Sequence, residues 1–301
     1  MSTAITLIAE IGSNHGGSLD EAKRYIEASA KAGAQIAKFQ SLTREGLIAR
    51  KAKDAKTGRW GDNPRYAAFS NQGLPDHWLP QLKACCEENG IEFMSTPFDL
   101  EAVDRLEALG AKRYKIASGD LTFTPLLQKV AATGKAVIMS TGASYLEEVG
   151  TAIETLQAAG CTDLTVLQCT ASYPPSWNDL NLNAITTLKS TFGLPVGLSD
   201  HSPGHLAPIA AAALGATVIE KHVTFDRTSA GPDHPFAMEM DEFANLARDL
   251  AALSAALGDG EKRPAASEIN RRNNLRRGIY DPDTGLPTDA ANGVWLRPQY
   301  K

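Results

Sequence analysis

The stretch "TVIEKHVTFD", residues 217–226, begins as a buried strand and then sets Glu220, Lys221 and His222 side by side with no turn between them. Side chains alternate along a strand, so residues i and i+2 share a face. Glu220 and His222 therefore point one way and Lys221 the other. A strand that is apolar first and titratable last ends where a core stops and a pocket begins. The same polarity recurs in "TLIAEIG" (6–12), "QIAKFQ" (35–40), "EFMSTPF" (92–98), "RYKIAS" (113–118), "AVIMST" (136–141), "LTVLQC" (164–169) and "PVGLSD" (195–200).

Amphipathic helical stretches separate these runs. "SLDEAKRYIEASAKAG" has Ser18 placed as an N-cap, "DLEAVDRLEALG" stops at a glycine, and "EFANLARDLAALSAALG" follows the last strand. Eight strands, each followed by a helix, predict an α/β protein with a closed (β/α)₈ TIM barrel. A doubly wound open sheet is the alternative, but no glycine-rich dinucleotide loop follows the first strand. The barrel is expected over residues 1–262, with a polar, turn-rich extension over 263–301 that is too sparsely apolar to build its own core. Residues 41–74 read as a long polar loop leaving the C-terminal end of strand two, either a partial lid or a surface insertion.

Bulk properties narrow the function. The chain of 301 residues is 43% hydrophobic and 22% charged, an ordinary globular composition. Its 30 basic and 35 acidic residues are well mixed, with a net charge of −5. No basic tract points to nucleic acid or an anionic membrane, whereas a few lysines focused in one pocket would serve a small anionic substrate. No segment approaches the roughly 18 apolar residues of a membrane span. The first residues lack a basic region followed by an apolar run, so no secretory leader is expected and the predicted location is cytoplasmic. Cys85, Cys86, Cys161 and Cys169 form no C-x-x-C pair and read as reduced, packed thiols, with Cys169 at a strand end.

At the strand ends, the face expected to point inward carries Glu10, then Lys38 and Gln40, Thr96, Lys115 and Ser118, Ser140, Tyr173 just beyond strand six, Ser199 and His201, and Glu220 and His222. Lys221 has the wrong parity and reads as structural. Catalytic groups of a barrel gather at this end. Two lysines with several hydroxyls make a plausible phosphate cradle, and burying two ammonium groups requires an anion or carboxylate partners. His201 and His222, from neighbouring strands at matching heights, fit either a divalent metal with open coordination positions or a hydrogen-bonded histidine pair.

The ordered segments "AEIGSNHGGSLDEA", "AKFQ", "STPFD", "YKIASGDLT", "MSTGAS", "QCTASYPPS", "GLSDHSPG", "IEKHVTFDR" and "GPDHPFAME" resemble the signature segments of the sialic acid synthase family, which includes N-acetylneuraminate, legionaminate and pseudaminate synthases and related spore-coat polysaccharide proteins. The resemblance spans about residues 5–280. It implies a (β/α)₈ barrel that condenses phosphoenolpyruvate with an open-chain sugar aldehyde, releasing phosphate and forming a nonulosonic or related 3-deoxy-2-keto acid. It also implies a divalent metal on His201 and His222, manganese first, with magnesium or cobalt as alternatives. By motif, Lys38, Thr96, Lys115, Ser118, Ser140 and Ser199 would contact phosphoenolpyruvate. Glu10, Gln40, Tyr173 and Asp233 would contact the sugar, with Asp120 nearby. Glu10, Lys38, Lys115 and Asp233 are the expected catalytic set.

Three departures stand out. Asp120 replaces a glutamate usual in the family, and Ala171 replaces a commonly polar residue. The tail, "NLRRGIYDPDTGLPTDAANGVWLRPQY", resembles only the linker and opening of the family's antifreeze-like domain, which crosses to a partner subunit and supplies an arginine to the sugar's acyl group. The resemblance implies a homodimer, much of whose interface involves that domain, and the departures imply for this chain a variant acceptor. A Schiff-base aldolase using Lys115 or Lys38, and a non-catalytic binding paralogue, are the competing readings.

Overall fold

The computed structural model describes residues 5–69 and 73–298; residues 70–72 of the long loop, the first four residues and the last three lie outside the described residues. The chain forms two compact units, one ending at Leu257 and the other beginning at Gly258.

In the first unit, eight parallel strands alternate with helices: β1 Thr6–Glu10, β2 Ile36–Ser41, β3 Glu92–Pro97, β4 Arg113–Ile116, β5 Ala136–Ser140, β6 Leu164–Cys169, β7 Val196–Asp200 and β8 Val218–Thr224. Each expected strand is present, with ends no more than two residues from the sequence reading. The hydrogen-bonded order is β3-β2-β1-β8-β7-β6-β5-β4, so first and last strands pair and the barrel is nearly closed. Among the described residues, the ladder is interrupted only between β3 and β4.

Local chemistry sets the helix ends. Helix α1, Leu19–Lys31, starts where the Ser18 hydroxyl accepts the Glu21 N–H at 3.3 Å. The helix after β3, Leu100–Leu109, starts where the Asp99 carboxylate accepts the Ala102 N–H at 2.6 Å, and it ends at Gly110, with φ of 75°.

Two apolar layers hold the barrel. The larger lies between strands and helices. The smaller fills the barrel itself with Ile8, Ile36, Met94, Ile138, Leu167 and Val218. Each of these six precedes by two residues an inward group at the strand end: Glu10, Lys38, Thr96, Ser140, Cys169 and Glu220. On β7 the corresponding place is Gly197, where a Cβ would fall 2.3 Å from the Val218 carbonyl and 2.5 Å from Leu167 Cδ2. The layer is full, so the hydrocarbon plugs the barrel one step beneath the polar groups and leaves its mouth to them.

The long segment after β2 differs from the loop expected there. It contains a helix at Arg44–Leu47, a hairpin of Lys51–Lys53 with Trp60–Asp62, and a helix at Pro64–Ala68. The hairpin turn is built locally: the Asp54 carboxylate accepts the N–H groups of Lys56 and Thr57 at 3.0 and 2.6 Å. These Asx bonds are a short-range signal that polarity alone does not reveal.

The second unit has helices at Ala266–Ile269 and Arg272–Leu275 and a hairpin of Gly278–Tyr280 with Val294–Leu296. None of its described residues is buried. Among the described residues, no helix is long and apolar enough to cross a membrane.

Candidate active site

Parallel register brings the inward groups together. Glu10 lies beside Lys38 on β2 and beside His222 on β8, Gln40 beside Thr96, and Ser199 beside Glu220. Side-chain bonds then knit the first cluster. Lys38 Nζ is 2.7 Å from Glu10 Oε2, 3.5 Å from Glu220 Oε1, and donates to Thr96 Oγ1 at 3.2 Å. Gln40 donates to Glu10 Oε1 at 2.8 Å. Lys115 Nζ donates to Ser140 Oγ at 2.6 Å and lies 3.7 Å from Glu220 Oε1, which also accepts from Ser199 Oγ at 3.3 Å.

The two lysines are thus matched by two carboxylates, Glu10 and Glu220, all buried. Burial works against the charge of Lys38, but Glu10 and Glu220 outweigh it and raise the ammonium above the ordinary lysine range. Lys115 goes the other way: burial lowers it, and the attraction of Glu220 only partly compensates. Burial alone would push the Glu220 carboxyl up, but Lys115 and Lys38 hold it down at about 2. Glu220 is the hub, and one of its oxygens, Oε2, is buried with no hydrogen-bond partner among the described residues.

The second cluster surrounds the histidines. The rings of His201 and His222 are 5.3 Å apart between centroids, and Phe236 packs on both at 5.9 and 5.0 Å. Tyr173, 56% exposed at the rim, stands edge-on to His201 at 4.3 Å. Asp233 Oδ2 lies 3.8 Å from His222 Nδ1 and accepts from Ser13 Oγ at 3.1 Å. Gly12 makes room for it: at φ of 54°, a Cβ there would sit 2.8 Å from that oxygen.

The donor set fits a divalent cation with open positions. His201 Nδ1–H donates to the Thr170 carbonyl at 3.3 Å, which directs the lone pair of its other nitrogen away from that bond. Burial, reinforced by His222, lowers His201 to about 3, so the ring is neutral. Among the described residues, His222 Nδ1 is buried with no hydrogen-bond partner. Among the described residues, no three His, Cys, Asp or Glu groups are gathered as a ready metal cage, so the fit is to a two-imidazole site.

Ser118 and Asp120 lie in a single turn after β4. Ser118 Oγ accepts the Gly142 N–H at 2.9 Å. Burial raises the Asp120 carboxyl to about 6 against the pull of Lys115, and its Oδ2 has no hydrogen-bond partner among the described residues. A separate cleft of about 820 Å³, lined by Ser144, Tyr145, Thr170, Asn181 and Asn183 among others, opens beside Cys169 but contains neither lysine nor imidazole. The charged chemistry lies in the barrel mouth.

Every residue expected at the site therefore falls in one of two adjoining clusters or the turn beside them. Three contributors were not assigned a role from sequence. Glu220 was placed inward by parity, yet its function as counter-ion to both lysines depends on distances. Phe236 and Ser13 come from loops, where no periodicity predicts direction.

A nearly closed (β/α)₈ barrel with charged groups at its strand ends is an enzyme scaffold. The chain matches the NeuB family over residues 25–262. It is 40% identical over 304 residues to the N,N'-diacetyllegionaminic acid synthase of Legionella pneumophila, covering 97% of this chain and 85% of that one. It is 33% identical over 281 residues to human N-acetylneuraminate-9-phosphate synthase, covering 91% and 77%. The crystal structure of N-acetylneuraminic acid synthetase from Leptospira borgpetersenii superposes with a TM-score of 0.82 at 35% identity, covering 91% of this chain and 93% of that one. The chain belongs to the NeuB family of sialic acid synthases and is an enzyme of this synthase type.

Proposed function

We propose that the protein condenses phosphoenolpyruvate with an aldose-type aldehyde, an N-acylmannosamine-like sugar or a variant of it, to give a nonulosonic or related 3-deoxy-2-keto acid and phosphate. The observation that carries this reading is the meeting of two buried ammonium groups and two neutral-capable imidazoles at one barrel mouth, above a filled hydrocarbon layer. The names of the legionaminic and neuraminate synthases it resembles support the same class of product.

In this reading Lys38 and Lys115 neutralise the phosphate and carboxylate of the donor, and Thr96, Ser118, Ser140 and Ser199 supply hydroxyls to its oxygens. Lys38 is held by Glu10 and Glu220 and Lys115 by Glu220, so donor binding exchanges carboxylate contacts for phosphate contacts. Gln40, Tyr173 and Asp120 line the acceptor side. His201 and His222 would hold a divalent cation, manganese first, whose chemistry when bound is Lewis-acid polarisation of the aldehyde oxygen. The site holds C3 of the donor against the aldehyde carbon, and the new C–C bond forms there. Water adds at C2, Glu10 or Asp233 orients that water, takes its proton and returns it to the new alkoxide, and phosphate leaves by C–O cleavage as the C2 hydroxyl gives up its proton to form the ketone.

A Schiff-base aldolase is favoured by one observation, the lowered ammonium of Lys115. One experiment separates the two. The protein is incubated with phosphoenolpyruvate, Mn²⁺ and a panel of aldehydes, with and without EDTA, and phosphate and product mass are read. The synthase reading expects stoichiometric phosphate and product, both abolished by EDTA. Turnover that survives EDTA, with a borohydride-trapped adduct on lysine, contradicts it.

A further inference from the structure

Lys221 is one residue from His222 and points away from the basin, among the apolar outward side chains Ile219 and Val223. Its ammonium is buried at 1% exposure and donates to Asp200 Oδ2 at 2.5 Å and to the Ser202 carbonyl. The Ser202 N–H closes the ring by donating to Asp200 Oδ1 at 3.0 Å. Asp200 and Ser202 flank His201. One side chain beside His222 therefore grips the backbone on one side of His201 and the carboxylate on the other. The register places Lys221 opposite Asp200, which sets the two histidines opposite each other at the next step.

An ion pair here is a poor choice for stability alone. Desolvating both charges costs several kcal/mol, and apolar residues of similar volume commonly do as well. What the pair and its Ser202 link supply is direction: a one-residue slip or a small rotation of β7 against β8 breaks both bonds of Lys221 at once. We propose that Lys221, Asp200 and the Ser202 backbone form a positioning brace that fixes the two imidazoles for metal binding. This rests on the two-imidazole site proposed above. Lys221 and Asp200 touch neither substrate nor metal; they act through His222 and His201.

The test uses the full chain carrying Asp200→Leu together with Lys221→Met, which removes both charges while keeping the volume apolar. Mn²⁺ affinity is measured by electron paramagnetic resonance of the free ion, and phosphoenolpyruvate affinity by calorimetry. The circular dichroism spectrum checks the fold. A displaced histidine orientation is expected to weaken Mn²⁺ binding about 10–100-fold. Phosphoenolpyruvate affinity should stay within about twofold, since Lys38 and Lys115 are untouched by the change. A folded variant with Mn²⁺ affinity within about twofold of the parent overturns the brace, as does an equal loss of both affinities, which would mean general loosening. If the double variant does not fold, Lys221→Gln is scored by the same two affinities and the same limits. A parent that binds no Mn²⁺ defeats the metal site itself, a result separate from parent and variant binding alike.

Discussion

Glu220→Gln tests the electrostatic hub. The substitution keeps size and shape but removes the charge that faces Lys38 at 3.5 Å and Lys115 at 3.7 Å. Lys38 retains Glu10 at 2.7 Å, whereas among the described residues Lys115 keeps hydrogen bonds only to the Ile116 carbonyl and the Ser140 hydroxyl. Breaking a buried pair by neutralising one member costs roughly 3–5 kcal/mol. The pH linkage gives a similar figure. The Glu220 carboxyl is held at about 2 in the folded protein, below its model-compound value of 4.5. At about 1.4 kcal/mol per pH unit, that difference is on the order of 3 kcal/mol. A folded-state value below the unfolded one means the stabilisation is complete above about pH 4.5 and is lost as pH falls toward about 2. Urea unfolding at pH 7 should therefore show the variant less stable by roughly 3–5 kcal/mol. Phosphoenolpyruvate, which brings its own negative charge to Lys115, should restore stability to the variant more than to the parent. A variant within about 1 kcal/mol of the parent, with equal stabilisation by the ligand, would refute the hub.

Other consequences are equally direct. Lys115→Ala should raise the KM for phosphoenolpyruvate at least about tenfold while changing the acceptor KM little, as steady-state kinetics would read; the reverse split would move Lys115 to the acceptor side. Burial lowers His15 to about 4, so the unfolded chain takes up the proton first and stability falls as pH drops from about 6.5 toward 4. His15→Gln should flatten that part of the stability–pH curve by about 3 kcal/mol, measured by urea unfolding across the range. Gly197→Ala should destabilise by at least about 1–3 kcal/mol, because its Cβ meets Leu167 and the Val218 carbonyl in a layer with no space; equal stability would show that the layer yields.

The features legible in sequence were those that repeat. An apolar residue two places before a strand-end group marks β1, β2, β3, β5, β6 and β8, while eight strands alternating with helices gave the barrel and the i, i+2 parity gave the inward list. Parity separated Lys221 from Glu220 and His222, and the buried pair with Asp200 is the outward role that parity required. Partnership was not legible. Nothing in "EKH" says that Glu220 answers Lys38 from β2 and Lys115 from β4, because that depends on barrel closure bringing distant strands within 4 Å of one carboxylate. Loop groups were hidden for a different reason. Phe236 and Ser13 take their direction from turns fixed by tertiary bonds, Ser13 through Asp233 more than 200 residues away. The hairpin after β2 was missed because its Asx turn looks, residue by residue, like any polar loop.

The measurement that bears most directly on the proposed condensation follows the bridging oxygen of the donor. Phosphoenolpyruvate labelled with ¹⁸O between C2 and phosphorus is turned over with Mn²⁺ and the best aldehyde of the panel, and the released phosphate is examined by ³¹P NMR. Attack from C3 followed by water at C2 predicts that the label leaves with phosphate, alongside one equivalent of condensed product. Unlabelled phosphate accompanied by pyruvate would mean P–O cleavage, and the basin of paired ammonium and imidazole groups would then be serving a different reaction.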